Sequence, residues 1–315
     1  MNNISSKKMI SIVTPCFNEE GNVDELCERI SNVMKAVPYD YEHIFIDNAS
    51  TDLTVEKIRK LASADNRVKL IINARNFGHI RSPYYGILQS KGDACVLIAS
   101  DLQDPPEMIA QFIQKWEAGF KTVLAVRPES EESSIMFFIR KMYYRFISKI
   151  SEIHLIQNAT GAGLFDRDVI NILSKIQDSY PYFRGLLCEI GFPIATVPFK
   201  QPRRTRGITK NNFYTLYDVA MLGITNHSKL PLRVMAMGGF VLSIFSLLIA
   251  LGFLVAKLVY WDAFQLGTAP LLISIFFFGA IQSFFIGVIG EYIGSIHTQV
   301  RNMPLVVERE RINFF

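Results

Sequence analysis

The 315-residue sequence predicts an α/β fold: a mostly parallel sheet with helices on both faces, then amphipathic helices and a two-helix transmembrane hairpin. Three observations predict it. Five short apolar or β-branched runs alternate with helical periodicity over the first 126 residues, and this rhythm requires parallel strands joined by crossover helices. Oxygen-rich clusters close three of those runs, where ligands bind in such sheets. The 50% hydrophobic content is concentrated after Leu230.

The strands are expected at 9–14, 42–47, 68–72, 94–99 and 122–126. Between the first two, Val23, Leu26, Ile30, Val33 and Met34 recur at helical spacing, as do Ile109, Phe112, Ile113 and Trp116 between the last two. Beyond Arg127, residues 137–150 carry Phe138, Met142, Phe146 and Ile150 on one side and Arg140, Lys141, Arg145 and Lys149 elsewhere. Such a helix lies either on an anionic membrane surface or against the core with a solvated basic face. A second amphipathic stretch, 212–224, precedes two nearly uncharged segments, 234–260 and 269–293. Each is longer than the roughly 20 residues that cross a bilayer. Buried helices of a soluble fold are the alternative.

Lys229, Arg233, Arg301, Arg309 and Arg311 flank the hairpin, whereas its loop carries Asp262 and no basic residue. The positive-inside rule then makes the large domain and both termini cytoplasmic. Residues 1–8 are polar and 9–13 are too short for a signal core, so the large domain is expected to stay where it is made. The expected divisions are 1–210, 211–233, 234–293 and 294–315. Four cysteines without ligand spacing read as reduced thiols. The net charge of +4 is modest, and nucleic acid is not an expected partner. Small residues at Gly238, Gly239, Gly279 and Gly287 allow close helix packing within a chain or in a homo-oligomer.

No Gly-x-Gly-x-x-Gly or Gly-Lys-Ser/Thr follows the first strand, which excludes a dinucleotide fingerprint and a P-loop. Instead Asp101 and Gln103 offer oxygen ligands for Mg²⁺ or Mn²⁺ on a diphosphate; a turn aspartate bonding its own backbone is the alternative for Asp101. Asp104, ahead of Pro105, Pro106 and Glu107, reads as a helix N-cap. Asp47 ends a strand where a carboxylate can meet a base or ribose, Asp52 reads as a cap, and Glu19 and Glu20 face a helix start. Five cations and no acid occupy residues 200–210. They form either a generic juxtamembrane patch or a phosphate-gripping loop with Gly207 permitting close approach. A sugar nucleotide at the sheet edge and a lipid-borne phosphate would then exchange a glycosyl group at the membrane surface.

The ordered motifs at 11–20, 47–52, 76–78 and 100–107 resemble family 2 glycosyltransferases with a GT-A fold. With residues 183–187, the basic loop and the hairpin, the chain is similar to the polyprenyl-phosphate type, which includes dolichol-phosphate mannose synthases and bactoprenol glucosyltransferases. The resemblance implies inverting transfer from a nucleoside diphosphate sugar, UDP-linked by analogy with bacterial members, to a polyprenyl phosphate at the bacterial inner membrane. It implies that Pro15, Phe17, Glu19 and Asp47 hold the nucleoside, with Asn48 and Ser100 beside them. It implies that Asp101 and Gln103 hold the metal and Arg127 meets the donor diphosphate or acceptor phosphate. Arg203, Arg204, Arg206 and Lys210 would grip the acceptor phosphate.

Three positions depart from the family pattern. Ala99 stands where the pattern Asp-Ala-Asp-Leu-Gln has its first acid, Thr160-Gly161-Ala162-Gly163 stands where many relatives read Gly-Asp-Phe-Arg, and Asn48 replaces an acid. Glu189, inside an apolar stretch, either supplies a lost acid or pairs with an Arg as a buried carboxylate must. A catalytically silent relative that binds nucleotide sugar or lipid phosphate is the competing reading.

Overall fold

The computed structural model describes residues 8–127, 156, 158–200, 230–259 and 268–315. Eight strands form one sheet: β1 (Met9–Cys16), β2 (Asp40–Asp47), β3 (Val68–Asn73), β4 (Ala94–Leu97), β5 (Thr122–Val126), β6 (Ala159–Asp166), β7 (Ile194–Pro198) and β8 (Glu308–Ile312). Their order is β7-β5-β6-β4-β1-β2-β3-β8. Pairing is parallel except at β6, which runs against β4 and β5, and at β8, which runs against β3.

Helices α1 (Val23–Lys35), α2 (Thr54–Ala64) and α4 (Met108–Glu117) pack on one face. On the other lie α3 (Gly78–Leu88), α5 (Arg167–Leu173) and α6 (Phe183–Glu189). Because side chains alternate along a strand, Phe45 enters the first core while Ile44 and Ile46 enter the second. Both faces are therefore covered, as a parallel sheet requires.

The fourth strand ends at Leu97, two residues short of the expected limit. Ile98 N–H still donates to Val13 O at 3.0 Å, but Ser100 then turns its hydroxyl onto Pro15 O at 2.9 Å, and Leu102 adopts φ 58°. The helical segments after Leu230 are α7 (Leu230–Val259) and α8 (Thr268–Val300). Among the described residues, Phe277–Val300 is long and apolar enough to cross a membrane, and Pro231–Leu242 is a shorter apolar stretch. Residues 137–150, 201–229 and 260–267 lie outside the description, so the amphipathic segments and the hairpin loop expected there are not placed.

After α8 the chain returns to the sheet. The sequence reading sets 294–315 apart from the large domain; the structure instead makes Glu308–Ile312 its edge strand. Asn313 Nδ2 donates to Ala62 O and Val68 O at 2.8 and 2.9 Å, fastening that end.

Candidate active site

The carboxyl ends of β1 and β2 are interlocked by their own polar side chains. Asn18, held at φ 58°, accepts from Thr51 N–H at 2.8 Å and donates its own N–H to Ser50 Oγ at 2.9 Å. Glu19 N–H donates to Thr54 Oγ1 at 2.8 Å, and the Glu19 carboxylate accepts from Asn22 Nδ2 at 2.6 Å. Asp52 bonds Thr54 N–H at 3.0 Å and Glu20 N–H at 3.3 Å, so it strengthens the start of α2 and straps it to the first loop. Pro15 and Phe17 line this edge half-buried.

Asp47 and Asn48 are buried and bonded within the loops. Asp47 is fully buried and accepts from Ser50 N–H and Ser50 Oγ at 2.9 and 2.5 Å. Burial pushes its carboxyl up, against the pull of the Ser50 and Ala49 donors. Asn48 donates to Gly78 O at 3.1 Å and accepts from Asn73 Nδ2 and Phe77 N–H at 2.9 and 3.2 Å. Its amide fixes the Asn76-Phe77-Gly78 turn, a use that an acid without N–H donors could not fill. Ser100 is likewise buried on Pro15 O.

Beyond β4, Asp101 and Gln103 are half-buried, and Asp101 Oδ1 accepts from Gln103 N–H at 3.2 Å, forming a turn. Asp104 does not cap α4. The helix begins at Met108, after a Pro-Pro turn, with Glu107 as its cap residue and no side-chain cap bond. Asp104 turns inward instead and is only 8% exposed, with Oδ1 buried and without a hydrogen-bond partner among the described residues. Burial first, and the charge of Asp101 second, push its carboxyl up to about 6, while the Thr160 hydroxyl and Arg127 oppose them. Sequence reasoning missed Asp104 and Thr160 as site groups, because an Asp before prolines carries the signature of a cap.

Arg127 is half-buried at the end of β5, its backbone N–H donating to Asn158 O at 3.0 Å. Arg184 on α6 donates to Ala159 O at 2.8 Å and so ties that helix to the same edge. Glu189 is exposed at the last residue of α6, not buried. The apolar neighbours that suggested burial alternate inward, while the short helix turns position 189 to solvent. Arg203, Arg204, Arg206 and Lys210 lie outside the described residues. Cys16 and Cys95 are buried and Cys27 and Cys188 half-buried, all free thiols. Among the described residues, no three His, Cys, Asp or Glu side chains form a metal-holding group.

The profile of Glycosyl transferase family 2 matches residues 11–172, the span that carries β1 through most of α5. The chain belongs to glycosyltransferase family 2. This glycosyltransferase is 33% identical to an uncharacterized glycosyltransferase of Synechocystis over 94% of its own length and 93% of the relative's. It is also 33% identical to the SfII prophage-derived bactoprenol glucosyl transferase of Shigella flexneri, over 94% of its own length and 96% of the relative's. Its fold resembles Mycobacterium tuberculosis glucosyl-3-phosphoglycerate synthase, solved with Mn²⁺, UDP and phosphoglyceric acid. The TM-score is 0.51 at 19% identity, covering 69% of this chain and 76% of the other. The glycosyltransferase thus has a GT-A-like, mostly parallel sheet, as its sequence predicts.

Proposed function

We propose that this glycosyltransferase moves a sugar from a UDP-sugar to a polyprenyl phosphate at the cytoplasmic membrane face, with inversion at the anomeric carbon. One observation carries the reading: β8 starts opposite Asn73, the carboxyl end of β3, and Ala74 N–H donates to Val307 O at 2.8 Å. The chain leaving α8 therefore joins the sheet at the edge that bears Asp47 and Asp101. Only residues 301–307 intervene, which extended reach at most about 25 Å. A membrane crossing by α8 would keep the start of β8, on the edge that carries the site, within that distance of the helix end. The near full-length match to bactoprenol glucosyl transferases supports the same acceptor.

The sheet also supports the hairpin. Strands before and after α7 and α8 share one sheet, so any crossing between them must be paired with a return. Helices of 30 and 33 residues span about 45 and 50 Å, against a hydrocarbon core of about 30 Å. In this reading residues 1–210 and 308–312 form the cytoplasmic domain, 211–233 lies at the membrane, and 234–293 spans it.

Pro15, Phe17 and Glu19 would line the nucleoside, while Asp47, Asn48 and Ser100 shape its loops from beneath. Arg127 would meet a phosphate, and Arg203, Arg204, Arg206 and Lys210 would close on the acceptor phosphate. The oxygen donors Asp101 and Gln103, beside the orphaned Asp104 Oδ1, fit a hard cation. Mg²⁺ or Mn²⁺ held there would neutralise charge developing on the diphosphate leaving group. An acceptor phosphate has a second pKa of about 6, so its oxygen is an anion at neutral pH and needs no strong base. The new bond from that oxygen to the anomeric carbon forms as the bond to the diphosphate breaks. Positioning and charge neutralisation carry the catalysis; exposed Glu189 is given no role in it.

Purified protein in detergent, incubated with radiolabelled UDP-sugars and polyprenyl phosphate in Mg²⁺ or EDTA, tests this. Lipid-soluble label with at least one donor, suppressed by EDTA, is expected. No such label with any common donor would overturn the acceptor reading, and label indifferent to EDTA would overturn the metal.

A further inference from the structure

We propose that Asp104 supplies the second carboxylate of the cation site, in place of the acid that Ala99 lacks. The inference rests on the preceding reading that a divalent ion accompanies the donor diphosphate. The methyl of Ala99 cannot ligate a cation, and Asp101 with Gln103 offers a single charged ligand on one turn. Among the described residues no ready three-acid cage makes up the deficit. Asp104 lies one residue beyond Gln103, close enough to feel the charges of both Asp101 and Arg127.

Its unpartnered oxygen is the decisive feature. A buried carboxylate has only acceptor sites, and buried acceptors in folded proteins are almost always satisfied. Thr160 bonds the Asp104 carboxylate, yet Oδ1 is sealed from solvent and, among the described residues, has no hydrogen-bond partner. The α4 cap is Glu107, and Arg127, though near, does not bond Oδ1. A second carboxylate beside Asp101 is otherwise repulsive, and a divalent cation between the two would turn that repulsion into shared ligation.

The test is Mn²⁺ binding by the full chain in detergent, read from the paramagnetic resonance of free Mn²⁺ with and without UDP. Asp104→Asn should weaken Mn²⁺ binding at least tenfold while metal-free UDP affinity stays within twofold. Adding Ala99→Asp to that variant should restore Mn²⁺ binding. Wild-type affinity in Asp104→Asn would overturn the proposal. So would absent Mn²⁺ binding by the wild type, or joint loss of Mn²⁺ and metal-free UDP binding without recovery by Ala99→Asp. If Asp104→Asn misfolds by circular dichroism, Asp104→Cys decides. A ligand thiolate shifts preference from Mn²⁺ toward Cd²⁺, and an unchanged preference refutes ligation. None of these readouts involves the lipid acceptor. A chain that binds Mn²⁺ through Asp104 but transfers no sugar would sink the acceptor reading alone.

Discussion

At position 43 the sheet buries a histidine that the strand pattern alone would treat as an interruption. His43 is 1% exposed, its Nε2 lies 3.0 Å from Thr14 Oγ1, and its Nδ1 has no partner. Burial holds the ring neutral and pushes its pKa down to about 3. In the unfolded chain a histidine takes up its proton near about 6.5. The folded state therefore keeps its full stability above that value and loses it as pH falls toward 3, by up to about 1.4 kcal/mol per pH unit. Chemical unfolding at pH 7 and pH 5 should show a smaller loss in His43→Gln than in the wild type; equal losses would refute this. Gly163 shows the same limit of sequence reading. Its segment was read as a lost acid, but a Cβ there would lie 2.1 Å from Val123 O, so the close approach of β5 and β6 demands glycine. No local pattern announces a neighbour forty residues away.

Among the elements, the first five strands were legible because apolar alternation and helical spacing are local properties. β6, β7 and β8 were not assigned. β6 carries Gly161 and Gly163, β7 is only five residues long, and β8 reads Glu-Arg-Glu-Arg-Ile, which has the composition of a solvated tail. β8 is a strand because β3 offers it an open edge and because charged partners wait on both sides. Arg59 forks onto Glu310, Tyr85 donates to Glu308 at 2.8 Å, and Arg311 bonds Gln89 at 2.8 Å. These side-chain bonds add to the backbone ladder and the Asn313 bonds that hold the strand in place. Removing residues 308–315 should lower the unfolding temperature and open the 68–73 strand to limited proteolysis. Unchanged cleavage would show that β8 is dispensable.

For the whole molecule, the tail strand ties the end of α8 to the sheet through a short connection. It enters at the strand-carboxyl edge, opposite Asn73, after seven residues, 301–307. A membrane-impermeant maleimide should therefore label a cysteine introduced at Asp262 from outside intact cells, and one at Arg309 only after permeabilisation. Labelling of both from one side would break the hairpin.

The sequence by itself determined the α/β class, the polar strand ends, the apolar segments after Leu230 and the family resemblance. Each of these is written in neighbouring residues or in ordered motifs. Only the tertiary structure decided that Asn48 and Asp47 serve the loops from within, that Asp104 faces inward, that Glu189 faces solvent, and that the tail completes the sheet. Burial and partnership depend on contacts between residues far apart in the chain. A carboxylate reads the same in sequence whether it caps a helix, meets water or lies buried beneath a loop.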